Sequence, residues 1–352
     1  MITEISNSAV IADAFNKKNT TKKLRPFYVR WFFVGMAIVF PIIAGLGFVP
    51  DYIMMSSGAF HAHWFAHLHG AVMTLWLLVF LAQAILAAKG NLNYHRTLGL
   101  VAVALGILVW LSTVAADVRS RLANSPPEPD DSWDILLIGL FGSILFALFF
   151  GWGMFARKNA AVHKRLLLLA TIVILQAAID RIRFLPGLNV AVYVRFIYLD
   201  LLLVPLVIYD LLTLKRVHKI TLIGAACFIL LQTAVSVAAG TPAWHKLAFS
   251  VFAPFMKMPV EIKLSDAQIE PLLGYYGTNE WKLNIFREGG KVYIQLPGTP
   301  KYVMGAISET EWFLKITSWH VFFIKSADGK VTKIINKQPN INNWEVVRYK
   351  QP

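Results

Sequence analysis

The sequence predicts a mostly α membrane protein, a seven-helix transmembrane bundle followed by a small antiparallel β domain. Its 352 residues are 57% hydrophobic and only 15% charged, where soluble domains carry about a quarter charged residues. Seven apolar runs approach the ~20 residues that a helix needs to cross a bilayer. From about residue 261 the long runs give way to short alternating ones separated by turn residues, the pattern of strands and hairpins.

Residues 1–26 form a polar tail with Lys17, Lys18, Lys22 and Lys23, expected to be disordered and cytoplasmic. The first apolar run begins near Trp31 without an obvious small-residue cleavage site and reads as an uncleaved span. The predicted transmembrane domain covers 27–240, with spans near 28–49, 64–88, 97–118, 133–156, 164–184, 190–212 and 218–239. Loops 89–96, 157–165 and 213–219 are basic. Loop 50–63 has no Lys or Arg, and in 119–132 Arg119 and Arg121 are set against Glu128, Asp130 and Asp131. The positive-inside rule then places the N-terminus in the cytoplasm and everything after 240 outside. The net charge of +14 is absorbed by this loop pattern, so nucleic acid is not an expected partner and the lipid bilayer is.

Spans three, five and seven open alike, with His95-Arg96, His163-Lys164 and His218-Lys219, which suggests three related hairpins. Pro41 and Pro205 should kink their spans, Pro205 leaving the Leu201 carbonyl without its helical donor. Residues 241–260, with Trp244, Phe249, Phe252 and Phe255, predict an interfacial linker. The extracytoplasmic β domain is expected over 261–352, with hairpin turns at Gly289-Gly290 and Asp328-Gly329. Cys227 is the only cysteine, so neither an internal disulfide nor a cysteine metal site is available.

Four of the nine histidines, His61, His63, His67 and His69, fall within nine residues at the mouth of span two. On a helix His63 and His67 share a face and could chelate one transition metal ion. His67 and His69 are roughly 200° apart round a regular helix, so either the helix starts late and the segment is partly a loop, or only one of the two joins a given site. A haem needs two facing histidines at one depth, which the trio His95, His163 and His218 offers at the basic end. The plainer reading of that trio is a set of basic helix starts. Asp117, Gln176, Asp180, Arg181, Arg183 and Arg195 gather towards the other end. Asp200 falls roughly 15 Å into span six, a depth at which an ionisable group marks a pathway or an ion pair with Arg181, Arg183 or Arg195. Trp76, Trp110, Trp133 and Trp152 read as interfacial anchors or packing residues, and Gln83 as an interhelical hydrogen bond. Nucleotide-binding glycine loops, a serine elbow and a zinc-protease motif are absent from the sequence.

The run Phe60-His61, His67-Leu68-His69-Gly70, Trp76, Gln83, His95-Arg96 and Gly99 resembles a family of uncharacterised bacterial multi-span membrane proteins. So do His163-Lys164-Arg165-Leu166, Ala170-Thr171, Tyr209-Asp210 with His218, and Thr241-Pro242-Ala243-Trp244. The likeness spans about 27–247, singles out His61, His67 and His69, and implies a bacterial inner-membrane protein without implying a reaction. The tail resembles the lipocalin-like β domain appended to penicillin-binding and β-lactamase-related proteins, through Leu273-Gly274-Tyr275-Tyr276-Gly277, Gly290-Lys291-Val292-Tyr293 and Asp328-Gly329-Lys330-Val331.

Three functions are therefore expected, in this order. The first is an oxidoreductase or metal-handling protein binding haem or a transition metal at the histidine-rich mouth, with a small-molecule or quinone substrate. In it His67 and His69, with His61 or His63, would be the ligands, and Asp117 or Asp180 would support them or relay protons. The second is a proton-coupled transporter using Asp200 and Arg195. The third is a scaffold whose β domain binds an extracytoplasmic protein partner.

Overall fold

The computed structural model describes residues 26–58, 62–124, 133–187, 192–256, 259–278, 282–296, 301–315, 319–338 and 341–349. The predicted tail up to residue 25, His61, and the acidic stretch Glu128, Asp130 and Asp131 lie outside the described residues.

Seven helices or helix pairs are long and apolar enough to cross a membrane. They are α1 (Phe27–Ser56), α2 (Trp64–Lys89), α3 (Leu92–Asn124), α4 (Asp134–Phe155), α5–α6 (Ala160–Val173 and Gln176–Ile179), α7–α8 (Val192–Asp200 and Val204–Leu214) and α9 (Lys219–Ala238). The chain is a multi-pass membrane protein. Leu100, Ile107, Leu111, Ile229 and Leu230 stay exposed on these helices, a surface that lipid tolerates and water does not. The amphipathic α10 (Pro242–Phe252) follows, where the linker was expected.

Two spans are interrupted, each for a local reason. The fifth breaks at Ile174-Leu175, after the run Thr171-Ile172-Val173-Ile174, whose β-branched side chains weaken a helix. The sixth passes through a 3₁₀ turn at Leu201–Leu203 before Pro205. This corrects the expected free carbonyl: the Val204 amide donates to Leu201 O, so the tighter turn satisfies the acceptor that proline would have stranded. Pro50, like Pro41, also sits inside α1.

The fifth span is the axis of the bundle. From Arg165 to Val173 nearly every α5 side chain is buried. Around it α4 supplies Phe141, Leu145, Phe146, Phe149 and Phe150, and Trp76 meets Phe146 and Phe150 edge-on at 5.6 Å. Trp76 and Trp133 are therefore packing residues and not interfacial anchors. Gly47 on α1 has to be glycine, since an added Cβ would come 2.3 Å from the Ala178 carbonyl oxygen of α6.

A buried ion pair locks three of these helices together. Arg165 on α5 binds Asp210 on α8 through both Nε and Nη2. The other carboxylate oxygen accepts the His218 amide at 3.0 Å and the Thr221 hydroxyl at 2.5 Å, both at the start of α9. Beside it Lys164 donates to the Tyr209 hydroxyl at 3.0 Å and lies over the Phe33 ring.

After α11 (Asp266–Ile269), eight strands run as an antiparallel meander in sequence order: β1 (Gly274–Gly277), β2 (Lys282–Glu288), β3 (Lys291–Gln295), β4 (Lys301–Ala306), β5 (Glu311–Leu314), β6 (His320–Lys325), β7 (Val331–Gln338) and β8 (Ile341–Val347). The sheet nearly closes on itself, because Tyr349 N donates to Tyr275 O at 2.8 Å and Tyr276 bridges Arg348. Alternation sends Leu283, Ile285, Val292, Ile294, Val321 and Phe323 inward. The Glu288–Lys291 pair is joined by Gly289-Gly290, both at positive φ, as a two-residue hairpin of this twist demands. Tyr276 is fully buried and donates to Leu272 O at 2.7 Å.

Two predictions follow from this packing. Asp210→Ala strands a buried guanidinium and should cost about 3–5 kcal/mol, whereas the Arg165→Met/Asp210→Leu pair should unfold at a higher temperature than either single variant in detergent. In the barrel, burial pushes the Tyr276 phenol up to about 12 from its usual 10.0. The folded form holds that proton more tightly than the unfolded chain does, so this stability is present below pH 10 and is lost as pH rises through 12. Denaturation midpoints followed by tryptophan fluorescence should fall across that window in the native protein and fall less in Tyr276→Phe.

Candidate functional site

The histidines at the mouth of span two do not converge on one point. His63 is the N-cap of α2, its Nδ1 accepting the Phe65 amide at 3.2 Å. A neutral imidazole that accepts through one nitrogen carries its proton on the other, so His63 has no lone pair left for a metal. His67 lies against the Tyr52 ring of α1, with centroids 6.3 Å apart. His69 turns to α3, its Nδ1 3.0 Å from Ser112 Oγ, and Ser112 spends its own proton on Val109 O. The shared helical face of His63 and His67 therefore gives no chelate, and the divergence of His67 from His69 follows the helical angle. Among the described residues no group of three or more His, Cys, Asp or Glu side chains is arranged to hold a metal ion.

The carboxylates at this end are tied into separate networks. Asp51 faces Arg181 at 3.3 Å and Arg183 at 3.6 Å. Asp180 accepts from Gln176 at 2.7 Å and sits 3.7 Å from Arg195, while Gln176 Oε1 is buried without a hydrogen-bond partner. Asp200 differs from expectation: its partner is Gln232 of α9 at 2.8 Å and not an arginine. The reason lies in the topology, which sets Arg181 and Arg183 against Asp51 and leaves Arg195 to Asp180. Among the described residues Asp117 makes no ion pair or hydrogen bond, and it packs against Gly139 of α4.

At the basic end the trio divides. His218 is the N-cap of α9, its Nδ1 accepting the Ile220 amide at 3.1 Å. A ring that accepts through Nδ1 is neutral and carries its proton on Nε2, so His218, like His63, offers no lone pair. His95 and His163 behave differently. Each follows a helix-opening asparagine by four residues and reaches back to the helix before it. His95 Nδ1 meets Gln83 O at 3.3 Å, and His163 Nδ1 meets Gly153 O at 2.8 Å. A carbonyl only accepts, so Nδ1 of each ring carries the proton and Nε2 carries the lone pair. The two rings meet edge to face with centroids 6.5 Å apart. This is the one pair of the predicted ligand residues, among those described, that the fold brings ring to ring with both nitrogens in a ligating tautomer.

The pattern that marks this pair in sequence is Asn-x-x-x-His after a short loop, at Asn91–His95 and Asn159–His163. Asn159 caps α5 through Ala161 and Val162. The third repeat lacks the asparagine, and its histidine takes the capping position itself.

Compared with models of known protein families, the chain matches none, and no curated protein matches its sequence.

Asp200 tests the outer network. Asp200→Asn keeps an oxygen for Gln232 and should cost less than about 1 kcal/mol, while Asp200→Leu orphans a buried amide and should cost about 1–3 kcal/mol, read from thermal unfolding.

Proposed function

We propose that this protein is a membrane oxidoreductase whose haem is held by His95 and His163 at the basic end of the bundle. The observation that carries this reading is the matched tautomer of the two rings, each fixed by a main-chain carbonyl through Nδ1. Ligating histidines are oriented in this way by a partner on the other nitrogen. The number of ligands supports haem over a bare ion. A metal held by protein alone wants three or four ligands, whereas a porphyrin supplies most of its iron's ligands and would need only the two imidazoles, His95 and His163, from the chain. A haem there would exchange electrons, and the chain's residues would orient the two rings and exclude water with the aromatic walls of α2 and α4.

By the positive-inside rule the basic end faces the cytoplasm of a bacterium, which puts the haem near the inner leaflet and the β domain in the periplasm. A second reading, proton-coupled transport through the opposite end, is favoured by one observation: the unpartnered Gln176 Oε1 beside Asp180 and Arg195.

The test is an absorbance spectrum of detergent-purified protein from haem-replete cells, before and after dithionite. A Soret band that shifts on reduction is expected, lost in His95→Ala and in His163→Ala and kept in His63→Ala and His218→Ala. A native protein without a Soret band, or a band that survives both substitutions, would overturn the reading.

A further inference from the structure

The helix ends at the basic end of the bundle are tied to one another. Arg30 at the start of α1 donates from Nε to Ala88 O near the end of α2. The rings of His95 and His163 join the start of α3 to the start of α5, and Asp210 joins α5 to α8 and α9. The α2–α3 and α4–α5 connections and the helix ends beside them carry Lys89, Arg96, Arg157 and Lys158. The α8–α9 connection adds Lys215 and Arg216, and all six residues are exposed.

Charge on this face is not balanced within the chain. Among the described residues the single carboxylate at this end is Asp210, which is fully buried and spent on Arg165. Arg157 reaches the Met154 carbonyl, and the other five cations make no ion pair among the described residues. The opposite end is built otherwise. Arg181 and Arg183 lie 3.3 and 3.6 Å from Asp51, and Arg195 lies 3.7 Å from Asp180. Like charges gathered on one face repel each other, so the basic face is complementary to an anion from outside the chain.

Three strongly exposed aromatic residues stand on the same rim. Phe27 is 77% exposed, Tyr94 72% and Phe155 89%, and each precedes a cation of this end by two or three residues. Aromatic rings at a helix end settle at the level of the lipid headgroups. A lysine or arginine beside them lays its stem along apolar surface and holds its charge at the phosphates. A soluble polyanion would leave those rings in water.

We infer that this face binds the headgroups of anionic glycerophospholipids, whose phosphate diester carries no compensating ammonium. The main seat lies between the α2–α3 and α4–α5 connections, where Lys89, Arg96, Arg157 and Lys158 are flanked by Tyr94 and Phe155. Basic surfaces between transmembrane helices take anionic headgroups in this way. A zwitterionic lipid brings a second cation to a face that already has an excess. The positive-inside rule orients these loops, and the lack of carboxylates beside them adds selectivity among lipids. The site does not depend on the haem.

The test is electron spin resonance of chain-labelled phosphatidylglycerol and phosphatidylcholine with the full-length protein in phosphatidylcholine bilayers. The motionally restricted fraction of each label gives its relative association with the protein. Phosphatidylglycerol should associate about threefold more strongly, or better. The preference should shrink at ~1 M salt, where the Debye length falls to about 3 Å. Lys89→Gln/Arg96→Gln/Arg157→Gln/Lys158→Gln should bring the ratio to about one. Arg119→Gln/Lys246→Gln, which removes exposed cations at the opposite end, should leave it unchanged. If the fourfold variant does not fold, Lys89→Gln/Arg96→Gln and Arg157→Gln/Lys158→Gln are measured separately, and each should lower the ratio. A preference that survives these substitutions would overturn the assignment. So would equal association of the two lipids with the native protein, and a bound oligonucleotide in that case would assign the face to a soluble polyanion.

Discussion

The bundle depends on the Arg165–Asp210 pair. It is a costly interaction in itself, because both charges leave water, and burial of this kind is tolerated only where every donor and acceptor is met. Here the carboxylate takes the guanidinium on one oxygen and the His218 amide and Thr221 hydroxyl on the other. The consequence is geometric. The start of α5, the end of α8 and the start of α9 are fixed to one point, and α5 becomes the axis on which the aromatic layers of α4 and α2 pack. His163, two residues before Arg165, inherits its position from the same point, as does the cap at His218.

The histidines show how hydrogen bonding sorts residues that look alike in sequence. Nine-residue clustering at the mouth of span two suggests a common ligand, yet one ring there caps a helix, one lies on a tyrosine and one bonds a serine. At the basic end two rings bond carbonyls and one bonds an amide. A carbonyl partner forces the proton onto Nδ1 and frees Nε2, whereas an amide partner does the reverse. Ligand capacity is therefore decided by the polarity of a single neighbour, and that neighbour belongs to the preceding helix at His95 and His163 and to the residue's own helix at His63 and His218.

The two ends of the bundle differ in kind. Near the basic end Arg165 and Asp210 are paired, and His95 and His163 each bond a main-chain carbonyl through Nδ1. At the other end, among the described residues, Asp51, Asp180 and Asp200 are each matched, while Asp117 packs against Gly139 of α4. The motif Thr241-Pro242-Ala243-Trp244 fixes α10 in place: threonine caps, proline suits the first turn, and tryptophan and His245 fasten the helix to the start of α4.

Sequence by itself determined the seven spans, the amphipathic linker, the antiparallel strands and their hairpin turns, since these follow from local hydropathy, periodicity and turn chemistry. It left open whether His67 and His69 share a site, which the regular helix from Trp64 onward decided. Only the tertiary structure decided which polar groups meet. Asp210 and Thr221 carry no signal that names Arg165 as a partner, Gln232 carries none for Asp200, and Gly139 is an ordinary residue of an apolar run. Such pairings are set by which helices become neighbours and at what register, a property of the whole packed chain. The same holds for the break at Leu201–Leu203, where proline announced a missing donor and the fold supplied another one three residues along.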